Sequence, residues 1–347
     1  MTSPAPAPAP TARLAILSPG FPSVPGGVTD HTQRLVRSWS AAGHSVEVLG
    51  RTDADADSVT ADLAGSGVTA LLVQYVPFLY GRRGLSGWPE RVARAARSRG
   101  IRVTLFVHEP WVPLTRLPWL VLGPLQRRQL RRLVRVADRT VTAVPAWRDL
   151  LGAAVDLVYV GSNLGSLPPT VPAPLSSPVV FSPTAAGFRF DWVAAAAHAI
   201  GASPGLVCIG IDASAARHHP GLAAHFDSSW DWRGRLSATD ALGVMARARL
   251  VLAPFEDGAT GRRTSLLAAV SSGARVLSTT GPLFDPVFRE GPILLAGSQP
   301  EFRDLAVRVW KTPDHSADRE ARLRWHRTHM EPSDLDARLL RITRGEP

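Results

Sequence analysis

The chain has 347 residues, of which 45% are hydrophobic and 20% are charged, enough for two globular domains with apolar cores. Its formal net charge is +10, and its single cysteine, Cys208, lies in an apolar run, so a disulfide framework within the chain is excluded. No apolar run reaches the ~18 residues that a transmembrane helix needs. We therefore expect a globular, cytoplasmic protein.

The first half alternates apolar runs with amphipathic stretches, the pattern of a parallel α/β sheet. Residues 1–11 are rich in proline and alanine, lack the blocks of a signal peptide, and are predicted to be disordered. A strand at 13–19 precedes a glycine-containing loop and a helix at 33–42. Further strands are predicted at 45–50, 69–77, 101–110, 138–145 and 156–164. Residues 12–164 thus predict one Rossmann-like domain.

Two places in this half have residue types that suit a binding site. Gly26 and Gly27 lie between the first strand and the first helix, where a backbone without side chains can approach a phosphate. They lack the spacing of a dinucleotide fingerprint. His108 and Glu109 end a buried strand, at the edge where parallel folds place their chemistry. A histidine there can also be a capping or core residue, and both interpretations stay open.

The positive charge is concentrated between Arg82 and Arg139, where 14 arginines face three acidic residues. An apolar stretch with Trp119 leads there into a cationic helix, whose arginines are Arg127, Arg128, Arg131, Arg132 and Arg135. Apolar anchors beside a cationic helix are typical of peripheral attachment to an anionic membrane. An ordinary solvated helix is the alternative. Nucleic acid is not expected, because no aromatic platform or reading motif accompanies the charge.

Two groups of side chains invite a metal interpretation. Asp53, Asp55 and Asp57 alternate after the second strand, but the sixth position of a calcium loop requires glycine and is Ser58 here. The histidines of the second half lack partnered cysteines and HExxH spacing. They are His218, His219, His225, His326 and His329. We expect no metal and no cofactor, and we expect a loop or a helix start at the aspartates.

The second half repeats the organisation of the first. Residues 165–178 are rich in proline and serine and are predicted to form an inter-domain linker. The elements that follow are strand 179–183, helix 190–200, strand 205–211 and helix 238–249. A second domain is predicted over 179–299, followed by helices over 300–347.

The stretch 251–281 contains the strongest candidate for a ligand site. It has the pattern strand, loop, helix, strand, with Arg262 and Arg263 just before the helix, which is predicted at 264–272. Thr264 or Ser265 is predicted to cap this helix, whose N-terminus attracts anions. Two guanidinium groups beside a helix end favour a phosphate, which each can bind bidentately. A solvated arginine pair on the surface is the alternative.

Taken together, these pieces resemble the GT-B glycosyltransferases, specifically the retaining family 4. The resemblance covers nearly the whole chain after the tail. The segments that carry it are PGGVTDHTQRLVRSWSAAGHSVEVL, QYVPFLYGRRG, FVHEP, VGSN and PFEDGATGRRTSLLAAVSSGARVLSTTG. It implies an α/β fold of two Rossmann-like domains facing across a cleft, with the closing helices crossing back to the first domain.

The resemblance also implies which residues form the site. His108 is implied to lie beside the donor sugar, and the loop of Gly26 and Gly27 near the diphosphate and acceptor. Asp257 is either a sugar ligand or a turn residue. The expected catalytic residues are His108, Arg262 and Arg263. The expected donor-binding residues are Gly26, Gly27, Asp257, Gly258, Thr264, Ser265 and Arg189. The expected acceptor-side residues are Asp30 and Glu109.

The chain also departs from the family. The second of two characteristic glutamates falls at Ala268, and Asp257 is the nearest replacement for the first. Only Arg189 represents the basic pair at the start of the second domain, and Arg262 and Arg263 can supply the missing charge. We expect metal-independent transfer, with retention, of a sugar from a nucleotide diphosphate donor to a hydroxyl. A catalytically silent homologue that acts as partner or scaffold of an active transferase is the alternative. A Rossmann oxidoreductase is disfavoured, since GxGxxG is missing.

Overall fold

A computed structural model describes residues 11–24, 26–52, 54–113, 117–152, 154–165, 167, 173–201 and 205–346. Its contacts divide the chain into two compact units. Unit 1 draws on Met1–Ala143, Trp147–Val158 and Ser333–Pro347, and unit 2 on Val144–Ala146 and Tyr159–Pro332. Nearly all of the predicted tail, much of the predicted linker and Asp53 lie outside the described residues.

Unit 1 is built on a parallel sheet of six strands in the order β2-β1-β3-β4-β5-β6. The strands are β1 (Arg13–Leu17), β2 (Ser45–Leu49), β3 (Ala70–Tyr75), β4 (Arg102–Val107), β5 (Arg139–Thr142) and β6 (Val155–Leu157). The helices of this half of the chain are α1 (Gly27–Ala41), α2 (Ala56–Gly65), α3 (Trp88–Ser98), α4 (Leu117–Val136) and α5 (Pro145–Leu151). Every residue of β3 is buried, as expected for a central parallel strand covered on both faces.

Unit 2 has a second parallel sheet of six strands, in the order β12-β11-β10-β7-β8-β9. The strands are β7 (Val179–Phe181), β8 (Val207–Ile209), β9 (Asp231–Trp232), β10 (Val251–Leu252), β11 (Val276–Thr279) and β12 (Ile293–Ala296). The helices are α6 (Phe190–Ile200), α7 (Ala213–His218), α8 (Ala238–Ala246), α9 (Thr264–Ser271), α10 (Gln299–Lys311) and α11 (Ser316–Met330). Both sheets confirm the predicted α/β class.

The segment 300–347 is shared between the units. Helices α10 and α11 belong to unit 2, whereas the last helix, α12 (Pro332–Arg344), belongs to unit 1. Asp336 of α12 accepts two hydrogen bonds from Arg34, at 2.8 and 3.1 Å, and its carbonyl accepts one from the Trp39 indole at 3.1 Å. Burial raises the pKa of the Asp336 carboxyl, and the nearby guanidinium of Arg34 offsets part of this rise. The predicted domain boundaries stay a prediction.

Several element boundaries differ from the predicted ones. Helix α1 begins at Gly27, six residues before the predicted start, and Gly26 is its N-cap. The strand predicted over 138–145 ends at Thr142, since Pro145 opens the unpredicted helix α5. Asp55 caps α2 by accepting a hydrogen bond from the Ser58 backbone at 2.9 Å, which confirms the helix start predicted at the aspartates.

Candidate functional site

The loop between β10 and α9 is attached to the carboxyl end of β11. The Thr279 hydroxyl accepts a hydrogen bond from the Phe255 amide at 3.0 Å and donates one to the Phe255 carbonyl at 2.5 Å. The Ala259 amide donates to the Thr279 carbonyl at 2.8 Å. These bonds place the loop at the sheet edge where α/β folds bind their ligands.

Two glycines allow this loop to pass very close to the segment after β11. Gly258 has a φ of +91°, and a Cβ there would lie 2.7 Å from the backbone nitrogen of Gly281. Conversely, a Cβ on Gly281 would lie 2.6 Å from backbone atoms of Asp257 and Gly258. Both positions therefore require glycine, and their close approach fixes the backbone next to Asp257.

The carboxylate of Asp257 bridges both arginines of the pair. Its Oδ2 lies 2.6 Å from Nη2 of Arg262, and its Oδ1 lies 2.5 Å from Nη2 of Arg263. The three side chains are 10–17% exposed, so the cluster is largely desolvated but open at its surface. Asp257 lies in a turn, as one of its two interpretations predicts, and its role as a sugar ligand stays a prediction. It orients two guanidinium groups and reduces their combined charge from +2 to +1.

Arg263 is also held by two further contacts. Its Nη1 donates to the Ala186 carbonyl at 2.7 Å, in the loop after β7. Its guanidinium lies over the ring of Phe255, 4.6 Å from the ring centroid, which is a cation–π geometry. These contacts fix the position of the Arg263 guanidinium group. The interpretation of the pair as a loosely solvated surface feature does not fit this burial.

The predicted cap of α9 is wrong. The N-cap residue is Arg263, and its side chain makes no capping hydrogen bond. Thr264 and Ser265 are instead the first two helical residues and are partly buried. The helix itself begins at Thr264, because Arg263 has the non-helical backbone of a cap. Ala268, where the family's second glutamate falls, is buried in α9.

The backbone of Arg189 is hydrogen-bonded to this loop, whereas its guanidinium group is paired elsewhere. Its amide donates to the Pro254 carbonyl at 3.0 Å. Its guanidinium binds Asp191 at 3.0 and 2.8 Å and stacks over Trp192 at 5.0 Å from the ring centroid. The hydrogen bonds from Arg189 lower the pKa of the Asp191 carboxyl. Arg189 is therefore committed to Asp191 rather than to Asp257.

Unit 1 has a separate polar cluster at the carboxyl ends of β3 and β4. His108, directly after β4, is 8% exposed, and its Nε2 lies 2.5 Å from Oε1 of Gln74. The amide nitrogen of Gln74 lies 3.5 Å from Nδ1 of His31, on α1. The His31 and His108 rings meet edge to face at 5.3 Å, and Phe106 stacks on His108 at 4.4 Å. His108 is therefore a member of an ordered cluster.

Burial keeps His31 of this cluster neutral. Desolvation lowers the pKa of His31 well below its usual value, and the positive charge of Arg34 lowers it further. A neutral His31 can accept a hydrogen bond at Nδ1 from the Gln74 amide N–H, which turns the Gln74 oxygen toward His108. That oxygen then accepts from Nε2–H of His108. The cluster thus selects one tautomer of the His108 ring.

The other predicted residues of unit 1 lie around the start of α1 and the end of β4. Gly26 is the N-cap of α1 and Gly27 its first residue, and both are exposed. Asp30 is exposed in the first turn of the same helix, and Glu109 is exposed next to His108. A Cβ on Gly26 would meet no atom within 4 Å, so packing does not require glycine at this position.

His31 and Gln74 are not among the residues predicted from the sequence. Gln74 is a polar residue within a run of apolar ones on a central strand, and it is fully buried. Such a residue needs a hydrogen-bonding partner, which is a signal for a polar cluster. His31 is one residue after the predicted Asp30. Among the described residues, no three His, Cys, Asp or Glu side chains come together as a metal-binding group.

No protein-family model and no curated protein matches the sequence. Solved structures do match. AviGT4, a glycosyltransferase involved in avilamycin A biosynthesis, is 16% identical with a TM-score of 0.61, and the match covers 96% of this chain and 97% of that chain. The chain has the GT-B fold.

Two further structures with this fold are similar over almost their full length. HepE from Anabaena, solved in complex with UDP and glucose, is 12% identical with a TM-score of 0.68, covering 95% of this chain and 99% of that chain. WaaG, a glycosyltransferase involved in lipopolysaccharide biosynthesis, is 12% identical with a TM-score of 0.58 and the same coverages. At these identities the likeness shows the GT-B fold alone, and membership of family 4 stays a prediction.

Proposed function

We propose that this protein is a glycosyltransferase that moves a sugar from a nucleotide diphosphate donor to an acceptor hydroxyl, with retention and without a metal ion. The observation that carries the proposal is the pair of arginines oriented by Asp257 at the carboxyl edge of the unit 2 sheet. The GT-B fold, seen in AviGT4 and in HepE with UDP and glucose, supports it.

The chemistry needs positive charge at the leaving group. When the glycosidic bond breaks, negative charge develops on the diphosphate and positive charge on the sugar ring. Arg262 and Arg263 would hold the diphosphate oxygens through charge-assisted hydrogen bonds, next to the positive end of α9. Because their guanidinium groups are positioned before the donor arrives, little reorganisation is needed as the charge develops.

Asp257 neutralises only one of the two positive charges. The carboxylate keeps one net positive charge on the cluster and holds two like charges in adjacent places. Without it, the two guanidinium groups would repel each other and separate. A donor diphosphate would bind the N–H groups that Asp257 does not use. For His108, the proposal retains the role that the family resemblance implies, contact with the donor sugar.

The experiment compares nucleotide release from UDP-, GDP- and dTDP-sugars, with and without EDTA, for the wild type and Arg263→Ala. Removal of one such donor group typically lowers the rate about 10²–10³-fold. Arg303→Ala is the matched control, because Arg303 also pairs with an aspartate of unit 2, Asp304, at 2.8 Å. We expect EDTA to leave turnover intact, and we expect only Arg263→Ala to lower the rate by this factor.

The same experiment tests the alternative function. A silent scaffold would bind a nucleotide-sugar or nothing at all, and no donor would give turnover in the wild type. Near-normal turnover of Arg263→Ala would contradict the assigned role of the arginine pair. Loss of turnover on addition of EDTA would contradict metal independence.

A further inference from the structure

The exposed face of α4 combines apolar and cationic side chains. The helix buries one side against unit 1, through Gly123, Gln126, Leu130, Leu133 and Val136. Its first half exposes large apolar residues to solvent. Their exposed fractions are 83% for Leu117, 48% for Leu120, 68% for Val121 and 46% for Leu125.

The arginines continue the same face. At 3.6 residues per turn, the exposed apolar positions and the arginines of the second half fall within about 140° of the helix circumference. These arginines are Arg128, Arg131, Arg132 and Arg135, and all four are exposed. The 20 residues of α4 include no aspartate or glutamate. The solvent side of the helix is therefore an apolar strip that passes into a cationic strip.

Two nearby acidic groups, Asp138 and Glu90, pair with arginines outside this face. Asp138, which follows the helix, pairs with Arg97 at 2.9 Å, and Glu90 on α3 pairs with Arg94 at 2.8 Å. The adjacent loop adds Arg83, which is exposed and whose carbonyl accepts a hydrogen bond from Gln126 at 2.9 Å. The positive charge of this region is therefore concentrated on the second half of α4 and the loop of Arg83.

We propose that the face formed by Leu117, Leu120, Val121, Leu125, Arg128, Arg131, Arg132 and Arg135 is a docking surface for an anionic lipid membrane. Exposed leucine and valine side chains are unfavourable in water and find an apolar environment at the acyl boundary. The arginines bind lipid phosphates at the same depth. Because α4 buries its other side against unit 1, the proposal places the helix along the membrane surface. Within the described residues, no helix is long and apolar enough to cross a membrane.

The test is co-sedimentation of the full chain with vesicles that contain about 30% phosphatidylserine, against vesicles of phosphatidylcholine alone. Binding to the anionic vesicles only, reduced by salt, is expected. The double variant Arg128→Gln/Arg131→Gln should lower the vesicle partition coefficient about 30-fold, because each arginine near an anionic surface contributes a factor of roughly five. The control is Arg338→Gln/Arg341→Gln, exposed arginines with the same spacing on α12, which should bind as the wild type does.

A second pair of variants tests the apolar half. Leu117→Ser/Val121→Ser should lower the partition coefficient about tenfold or more, because two exposed anchors are lost without any change in charge. Leu150→Ser, at an exposed position of α5, is its control. Equal binding of all variants, or no binding of the wild type, would overturn the proposal. If an acidic protein were the partner, the wild type would not sediment with lipid. The test needs no donor and is independent of the proposed transferase activity.

Discussion

Asp257 and Arg263 form an ion pair of 2.5 Å within the loop that leads into α9. The same carboxylate also holds Arg262 at 2.6 Å, so one acidic side chain orients both cations of the proposed diphosphate site. This relationship makes the site preorganised in the absence of ligand. In the proposed function, the donor diphosphate would interact with the same two charges as Asp257.

Replacement of Asp257 should lower the free energy of unfolding and increase the stabilisation by a bound anion. In Asp257→Asn, the two guanidinium groups lose their countercharge, which costs on the order of 3 kcal/mol of unfolding free energy for a largely buried pair. An added anion can then supply the missing charge. We expect pyrophosphate to raise the melting temperature of Asp257→Asn more than that of the wild type, as measured by differential scanning fluorimetry.

The control for this prediction is Asp231→Asn, which removes the partner of Arg233, paired at 2.7 Å elsewhere in unit 2. Pyrophosphate should shift its melting temperature no more than that of the wild type. An equal pyrophosphate shift in all three proteins would show that the anion does not use Arg262 and Arg263.

The close approach at Gly258 predicts that a single methyl group disrupts the loop. In Gly258→Ala, the alanine would have to adopt a φ of +91°. Its Cβ would lie 2.7 Å from the backbone nitrogen of Gly281. The combined strain should lower the free energy of unfolding by about 3 kcal/mol and displace Asp257. Gly243→Ala in α8 is the control, since its Cβ meets nothing within 4 Å and alanine favours a helix by about 1 kcal/mol. Comparable urea midpoints for the two variants would refute the prediction.

The cluster of Gln74 with two histidines predicts the protonation pattern of His108. Its Nε2 should carry the proton, because it donates to the Gln74 oxygen at 2.5 Å. Nitrogen-15 chemical shifts of the histidine rings measure this directly. In Gln74→Leu, the tautomer preference should be lost, whereas the exposed His218 of unit 2 should be unchanged. An Nδ1-protonated His108 in the wild type would show that Gln74 has the opposite orientation.

His326 predicts a pH dependence of stability. Burial, with the nearby charge of Arg327, lowers its pKa to about 4 from the usual value of 6.5. Between these values the unfolded chain binds a proton that the folded protein does not. The free energy of unfolding therefore falls as the pH drops from 6.5 to 4, by roughly 3 kcal/mol at most.

Substitution of this histidine tests the assignment. His326→Leu should flatten the fall of the urea midpoint across the window while stability at neutral pH is kept, since Nε2 of His326 has no hydrogen-bond partner among the described residues. His329→Leu, at an exposed position of the same helix, should retain the wild-type slope. An unchanged slope in His326→Leu would assign the acid sensitivity to other groups.

Much of the fold could be predicted because its signals are local. Alternating apolar and amphipathic segments indicated both parallel sheets, and glycines with Arg262 and Arg263 marked the loop before α9. The helix predicted at 264–272 is α9, which ends one residue earlier, at Ser271. Such patterns depend on periodicity and turn chemistry, which a single sequence displays.

The rest depends on contacts between distant residues. The bridge from Asp257 to both arginines requires the side-chain directions of a folded loop, and the link from His31 through Gln74 to His108 joins three elements. The cap of α9 was misjudged because Thr264 and Ser265 have the right chemistry for a cap, whereas backbone geometry decides the position. Local propensity alone does not contain this information.

The central claim is that arginine, rather than a metal ion, neutralises the departing diphosphate. A crystal structure of the protein with a donor that supports turnover, grown in EDTA, tests it most directly. We predict that diphosphate oxygens lie within about 3 Å of the guanidinium nitrogens of Arg262 and Arg263. A diphosphate bound elsewhere, out of reach of both arginines, would contradict the account.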